Sequence, residues 1–202
     1  AGDHVICMTP MYQSLYQVAK DIGCNISYWQ PSIEQGRWYY NPSDLKSLIQ
    51  DNTKLIIVNF PHNPTGFSPN ADEFKYIIEL ARQNGIAIFS DEMYRFLNHG
   101  CKALPSASDL YENAISLWGT AKTFGLAGLR LGWLTSKNKQ LLRKVESFKD
   151  YLSICSSAPS EVLGTIALNH KESFVDPNLA KIKANIDRKS TRLNSSPGKL
   201  SR

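Results

Sequence analysis

Short, nearly continuous apolar runs alternate along this 202-residue chain with stretches whose apolar residues fall three or four positions apart. The first kind fits strands covered on both faces, the second helices with one buried face. Strands are predicted at 5–8, 25–29, 55–60, 86–90, 114–118 and 131–135; Leu55-Ile56-Ile57-Val58-Asn59-Phe60 is the clearest of them. Helices are predicted at 12–22, 42–49, 70–83, 138–151 and 159–169, and local punctuation supports these limits. Gly23 and Asn84-Gly85 are helix stops, while Pro42 and Pro159 suit a first helical turn, with Asp44 and Glu161 following where an acid favours the dipole. Residues 31–40 show neither period and are expected to be irregular, with Trp38-Tyr39-Tyr40 packing under a loop.

Strand and helix alternating in this way predict an α/β fold, a three-layer α/β/α sandwich around a mostly parallel, doubly wound sheet. Ligands of such sheets bind outside the carboxyl ends of the strands. Asn63, Asp91 and Lys122 each fall just past a predicted strand end, so three loops are expected to converge on one site.

Lys122 stands in Leu117-Trp118-Gly119-Thr120-Ala121-Lys122-Thr123-Phe124-Gly125, with Arg130 eight residues on. Small residues around a lone lysine leave room for a bulky group. A closely packed lysine amine can act as a nucleophile toward an aldehyde. Taken alone, Lys122 also reads as a surface lysine in a Gly-rich loop, and Pro61-His62-Asn63-Pro64-Thr65-Gly66 as a simple turn. Together with Ser90-Asp91-Glu92-Met93-Tyr94, however, these motifs resemble in order and spacing the class I/II aminotransferases, the pyridoxal-phosphate enzymes of fold type I. The resemblance runs from about Gly2 to about Ala184.

The resemblance implies a large, cofactor-binding domain and a set of roles within it. Lys122 would hold pyridoxal 5′-phosphate as a Schiff base and later carry the substrate's Cα proton. Asp91 would keep the cofactor's ring nitrogen protonated. Asn63 and Tyr94 would contact its phenolic oxygen, Arg130 its phosphate, and Tyr12 its ring face. The resemblance also places the strand at 131–135 antiparallel to the others. One departure stands out, since the family usually has serine three residues before the lysine and this chain has Gly119. Thr120 is the candidate for a substitute hydroxyl.

Composition trims the remaining classes. The net charge of +5 lies in the tail: 188–202 holds five of the 23 basic residues and no acid, and the other 18 balance 18 acids. A nucleic-acid partner is therefore not expected. That tail resembles a translated sequencing adapter and is expected to be a non-native basic extension, leaving 1–187 as the cofactor-binding domain. The chain opens without methionine and is read as a fragment whose flanking segments, a phosphate-binding loop and a small domain, lie outside it. No apolar run approaches the roughly 20 residues that span a bilayer, so a cytoplasmic protein without membrane contact is expected. Cys7, Cys24, Cys101 and Cys155 form no CxxC pair and are expected to be buried thiols, with no metal site.

The expected activity is transfer of an amino group between an amino acid and a 2-oxo acid, in a homodimer. Two readings stay open beside it: another fold type I reaction, such as C–S lysis, decarboxylation or cyclisation, and a non-catalytic cofactor-binding regulatory module.

Overall fold

The structure, a computed structural model, describes residues 2–98 and 102–194, with 189–194 as backbone. In chain order the elements are β1 (His4–Met8), α1 (Ser14–Asp21), β2 (Asn25–Trp29), β3 (Ser32–Glu34), β4 (Arg37–Tyr39), α2 (Pro42–Leu48), β5 (Thr53–Asn59), α3 (Ala71–Gln83), β6 (Ala87–Asp91), α4 (Ala107–Leu110), β7 (Ala114–Gly119), β8 (Gly132–Thr135), α5 (Lys139–Leu152), α6 (Ala158–Asn169) and α7 (Lys171–Asn194). Six strands form one sheet in the order β2-β1-β5-β6-β7-β8. All pairings are parallel except the last, in which β8 runs antiparallel to β7 with Leu117 opposite Leu134. The six predicted strands are these six.

Continuous apolarity in the central strands reflects two covered faces. Ile6, Met8, Ile56, Val58 and Ile88 point into the main core, where Leu45 of α2 and Phe74, Ile77, Ile78 and Ala81 of α3 cover them. Their neighbours Val5, Cys7 and Ile57 point the other way, against Leu15 and Ala19 of α1. Each apolar side chain so buried contributes roughly 1.5–3 kcal/mol. The start of α3 is fixed by a reciprocal cap: Asn70 Oδ1 accepts from the Asp72 and Glu73 N–H groups, and Glu73 Oε2 accepts from the Asn70 N–H at 2.8 Å. Such a cap contributes about 1 kcal/mol.

Three expectations are corrected. Residues 31–40 are not irregular: β3 and β4 pair as a hairpin, because Gln35 and Gly36 both take positive φ (50° and 74°), the geometry of a two-residue turn that follows strand twist. The aromatic trio there divides, with Tyr40 buried against Trp29 and Trp38 exposed. The cysteines are not uniformly buried, since Cys24 is half-buried and Cys155, in the loop between α5 and α6, is exposed. Cys7 lies in the core, where burial pushes its thiol up to about 12; Cys101 falls outside the described residues. At the tail, α7 stays helical across 187–188 as far as Asn194. Residues 195–202 fall outside the described residues. No described helix is long and apolar enough to cross a membrane.

Candidate active site

From β1 the chain moves outward to β2 and then returns to the far side of β1 as β5. The connections after β1 and β5 therefore leave in opposite directions, opening a crevice between their carboxyl ends. Tyr12 lies in the turn after β1, where its carbonyl accepts from the Leu15 N–H, and Asn63 lies in the turn after β5. Asp91 ends β6 and Lys122 follows β7. Three adjacent strands thus bring Asn63, Asp91 and Lys122 to one edge of the sheet.

Asp91 is buried, 8 % exposed, and one carboxylate oxygen accepts from the Met93 N–H at 3.0 Å. Burial raises its pKa, and the Glu92 charge adds to this; the Met93 N–H and the Lys122 charge act in the opposite sense. A cation placed beside it would draw the carboxylate fully into its charged form. Register puts Asn59 directly opposite Asp91. The Asn59 side chain donates to the Asp91 carbonyl at 2.9 Å and accepts from the Asn63 N–H at 2.8 Å. One buried amide therefore ties the Asn63 turn to the Asp91 strand end.

Neighbouring His62 is buried, its Nδ1 2.7 Å from Thr65 Oγ1, and burial lowers its pKa to about 4. The ring is neutral at neutral pH. Glu92 is held by other partners: its carboxylate pairs with Arg95 at 3.1 Å and accepts from Ser106 Oγ and the Ala107 N–H. The Arg95 guanidinium in turn lies 4.7 Å from the centre of the Trp118 ring.

The Lys122 loop closes at its base, where the Thr120 N–H donates to Leu131 and the Leu126 N–H to Thr120. Lys122 itself is exposed rather than packed. Its Nζ lies 5.9 Å from the centre of the Tyr94 ring. Among the described residues, the Lys122 amine, the Tyr94 hydroxyl and the Asn63 side-chain amide have no hydrogen-bond partner. Arg130 ends the short 3-10 turn Ala127–Leu129 at φ 50°; its guanidinium is exposed, donates to the Ala127 carbonyl, and pairs with no described acid. Lys122 is thus near enough to act on the buried Asp91 carboxylate and lies over Tyr94, while Asn63 is tied to the Asp91 strand end through Asn59.

The hydroxyl of Thr120 is placed differently from expectation. Thr120 is wholly buried, and its Oγ1 lies 3.3 Å from the Leu126 carbonyl and 3.2 Å from that of Leu131, so its proton is directed inward rather than toward the Lys122 face. Gly119 leaves little space for serine: an added Cβ would lie 3.0 Å from the Leu131 carbonyl and from Met93 Cε, so these neighbours would have to give by a few tenths of an ångström. Tyr12 is 63 % exposed and makes no ring contact with the cluster.

Sequence reasoning passed over Asn59 and Thr123. Asn59 was visible as a polar residue closing an apolar strand; Thr123, also buried, carried no such signal.

With this geometry in view, the class is that of a doubly wound α/β domain presenting an exposed lysine near a buried aspartate. The chain belongs to the aminotransferase class I and II family, whose model matches residues 1–199. It is 28 % identical over 183 residues to capreomycidine synthase of Streptomyces vinaceus, covering 91 % of this chain and 46 % of that protein. It is 30 % identical over 178 residues to aspartate aminotransferase of Sulfolobus acidocaldarius, covering 87 % and 44 %. Among solved structures, a PLP-dependent aminotransferase from Streptococcus suis superposes with a TM-score of 0.89 at 31 % identity, covering 97 % of this chain and 51 % of that one. The chain spans about half the length of the curated relatives it matches.

Proposed function

We propose that this chain is the cofactor-binding part of a pyridoxal-phosphate-dependent aminotransferase, which moves an amino group between an amino acid and a 2-oxo acid. The observation that carries this reading is the set of unpartnered groups, Lys122, Tyr94 and Asn63, gathered around buried Asp91 at adjacent strand ends. These residues fit the cofactor: an amine for its aldehyde, a buried carboxylate for its ring nitrogen, two donors for its phenolic oxygen, and unpaired Arg130 for its phosphate. When bound, pyridoxal phosphate supplies an electron sink that acidifies the Cα–H of an amino acid joined to it.

The protein's share is acid–base and electrostatic. Asp91 holds a proton on the ring nitrogen, since a buried anion favours the charged form of its partner. Asn63 and Tyr94 stabilise negative charge on the phenolic oxygen by donating to it. Lys122 Nζ would bind the aldehyde and would accept the proton from the substrate's Cα. Arg130 would hold the phosphate, and exposed Tyr12, in the turn after β1, would cover the ring face. Thr120, by contrast, contributes to the loop's interior.

In this reading 1–187 is the large domain, 188–202 a non-native extension, and the whole protein a cytoplasmic homodimer. Exposed Tyr151, Leu152, Ile154, Val162 and Leu163 on and between α5 and α6 support further packing against segments or a subunit outside this chain. A second reading keeps the site and changes the reaction to cyclisation or lysis; the match to a capreomycidine synthase favours it.

Borohydride reduction of the cofactor-treated protein, followed by peptide mapping, tests the assignment. Stable label is expected on Lys122, and label on another lysine overturns it. Assay with an amino donor alone, then with an added 2-oxo acid, separates the two reactions: turnover that needs the oxo acid supports transamination.

A further inference from the structure

We infer that Thr123 is a positioning residue that sets the placement of Tyr94 relative to Lys122. The inference rests on the proposed roles of those two residues. Thr123 follows Lys122 directly and is 4 % exposed. Its Oγ1 lies 2.7 Å from the Arg95 carbonyl and 3.0 Å from the Met93 carbonyl, the two groups that flank Tyr94 in the chain.

The single hydroxyl proton is therefore shared between carbonyls on either side of the tyrosine. Within that turn the Arg95 N–H donates to Glu92 and the Leu97 N–H to Tyr94, and among the described residues the Met93 and Arg95 carbonyls accept from the threonine. The Thr123 backbone is held from the opposite side, where Asn178 of α7 donates to its carbonyl at 3.2 Å. Gly125, at φ +70°, lets that side chain come close: an added Cβ would lie 3.2 Å from Asn178 Nδ2. Lys122 and Tyr94 stand on different connections, after β7 and after β6, and the threonine hydroxyl is the side-chain bond that joins them.

A donor on the cofactor's phenolic oxygen favours the more negative state of the lysine-bound cofactor and lowers the pH at which its visible absorbance titrates. Misplacing Tyr94 would raise that midpoint, so Thr123→Val and Thr123→Ala should move it in the same direction as Tyr94→Phe. A rise of about one pH unit, a tenfold change in the ratio of the two protonation states, is expected for Tyr94→Phe, with at least half of it for the Thr123 variants.

The experiment is absorbance titration of the whole protein loaded with pyridoxal phosphate, for wild type, Thr123→Val, Thr123→Ala, Thr123→Ser and Tyr94→Phe. Amide hydrogen exchange across 93–97 is measured on the cofactor-free forms. Thr123→Ser keeps the hydroxyl and should titrate with wild type; faster exchange at 93–97 is expected in Thr123→Val and Thr123→Ala only. A wild-type midpoint in whichever of the valine and alanine variants folds, while Tyr94→Phe shifts, overturns the positioning role and leaves the cofactor reading intact. Serine titrating like Tyr94→Phe also overturns it. An unshifted Tyr94→Phe in a protein labelled on Lys122 removes the assigned role of Tyr94, and this inference with it.

Discussion

Asn59→Leu removes the one side chain that bonds both the Asn63 turn and the Asp91 strand end, while keeping a side chain branched at Cγ. Its cost follows from what each partner loses. The Asp91 carbonyl loses a 2.9 Å bond but retains the Phe60 N–H at 3.2 Å. The Asn63 N–H loses its 2.8 Å acceptor, in a residue that is only half-buried, so water can partly replace it. An orphaned buried group costs about 1–3 kcal/mol; with one partner kept and the other reachable by water, both terms fall at the low end. The expected loss is about 2 kcal/mol in all. Urea unfolding followed by tryptophan fluorescence measures it, with a lower midpoint at unchanged slope. Cofactor affinity should fall as well, because Asn63 would no longer be held in place. A loss under about 0.5 kcal/mol, the range of ordinary surface changes, would refute the claim that Asn59 couples these loops.

In the whole enzyme, Tyr94→Phe should forfeit one charge-assisted hydrogen bond, about 2 kcal/mol or roughly 30-fold in rate. Asp91→Ala should cost at least about tenfold more, because the ring nitrogen loses its proton; equal losses in a turnover assay would mean the roles are misassigned. Gly119→Ser should destabilise by about 1–2 kcal/mol through crowding, and adding Met93→Ala should recover only part of this in denaturant melts, since the Leu131 carbonyl remains at 3.0 Å. His62 is neutral in the folded state at a pH where the unfolded chain protonates it, its pKa being lowered to about 4 from 6.5. Its stabilising contribution is therefore complete above pH 6.5 and lost as pH falls toward 4, by about 2 kcal/mol between pH 7 and pH 5. His4, also lowered by burial, acts in the same direction; His62→Gln should flatten the measured slope, and an unchanged slope would place the effect elsewhere.

What the sequence determined by itself is the alternation and its polarity. Runs such as Leu55 to Val58 have no polar face, so they must lie between two helical layers, and that is where the sheet places them. Asn63, Asp91 and Lys122 follow strand ends, so parallel pairing alone was enough to gather them. The direction of β8 came from family resemblance, because periodicity carries no strand direction. Tertiary structure decided everything that depends on which atom a polar side chain meets. Thr120 and Thr123 are the same residue type three positions apart, and both are buried. One directs its hydroxyl to carbonyls within its own loop, the other to carbonyls of the Tyr94 turn. Gly119 likewise reads in sequence as a missing hydroxyl, whereas in the fold it is a place already crowded by Met93 and the Leu131 carbonyl. The reason is physical: burial pattern is set by periodicity along the chain, while hydrogen-bond partners are set by strand order and register, which bring residues 28 to 32 positions apart within 3 Å.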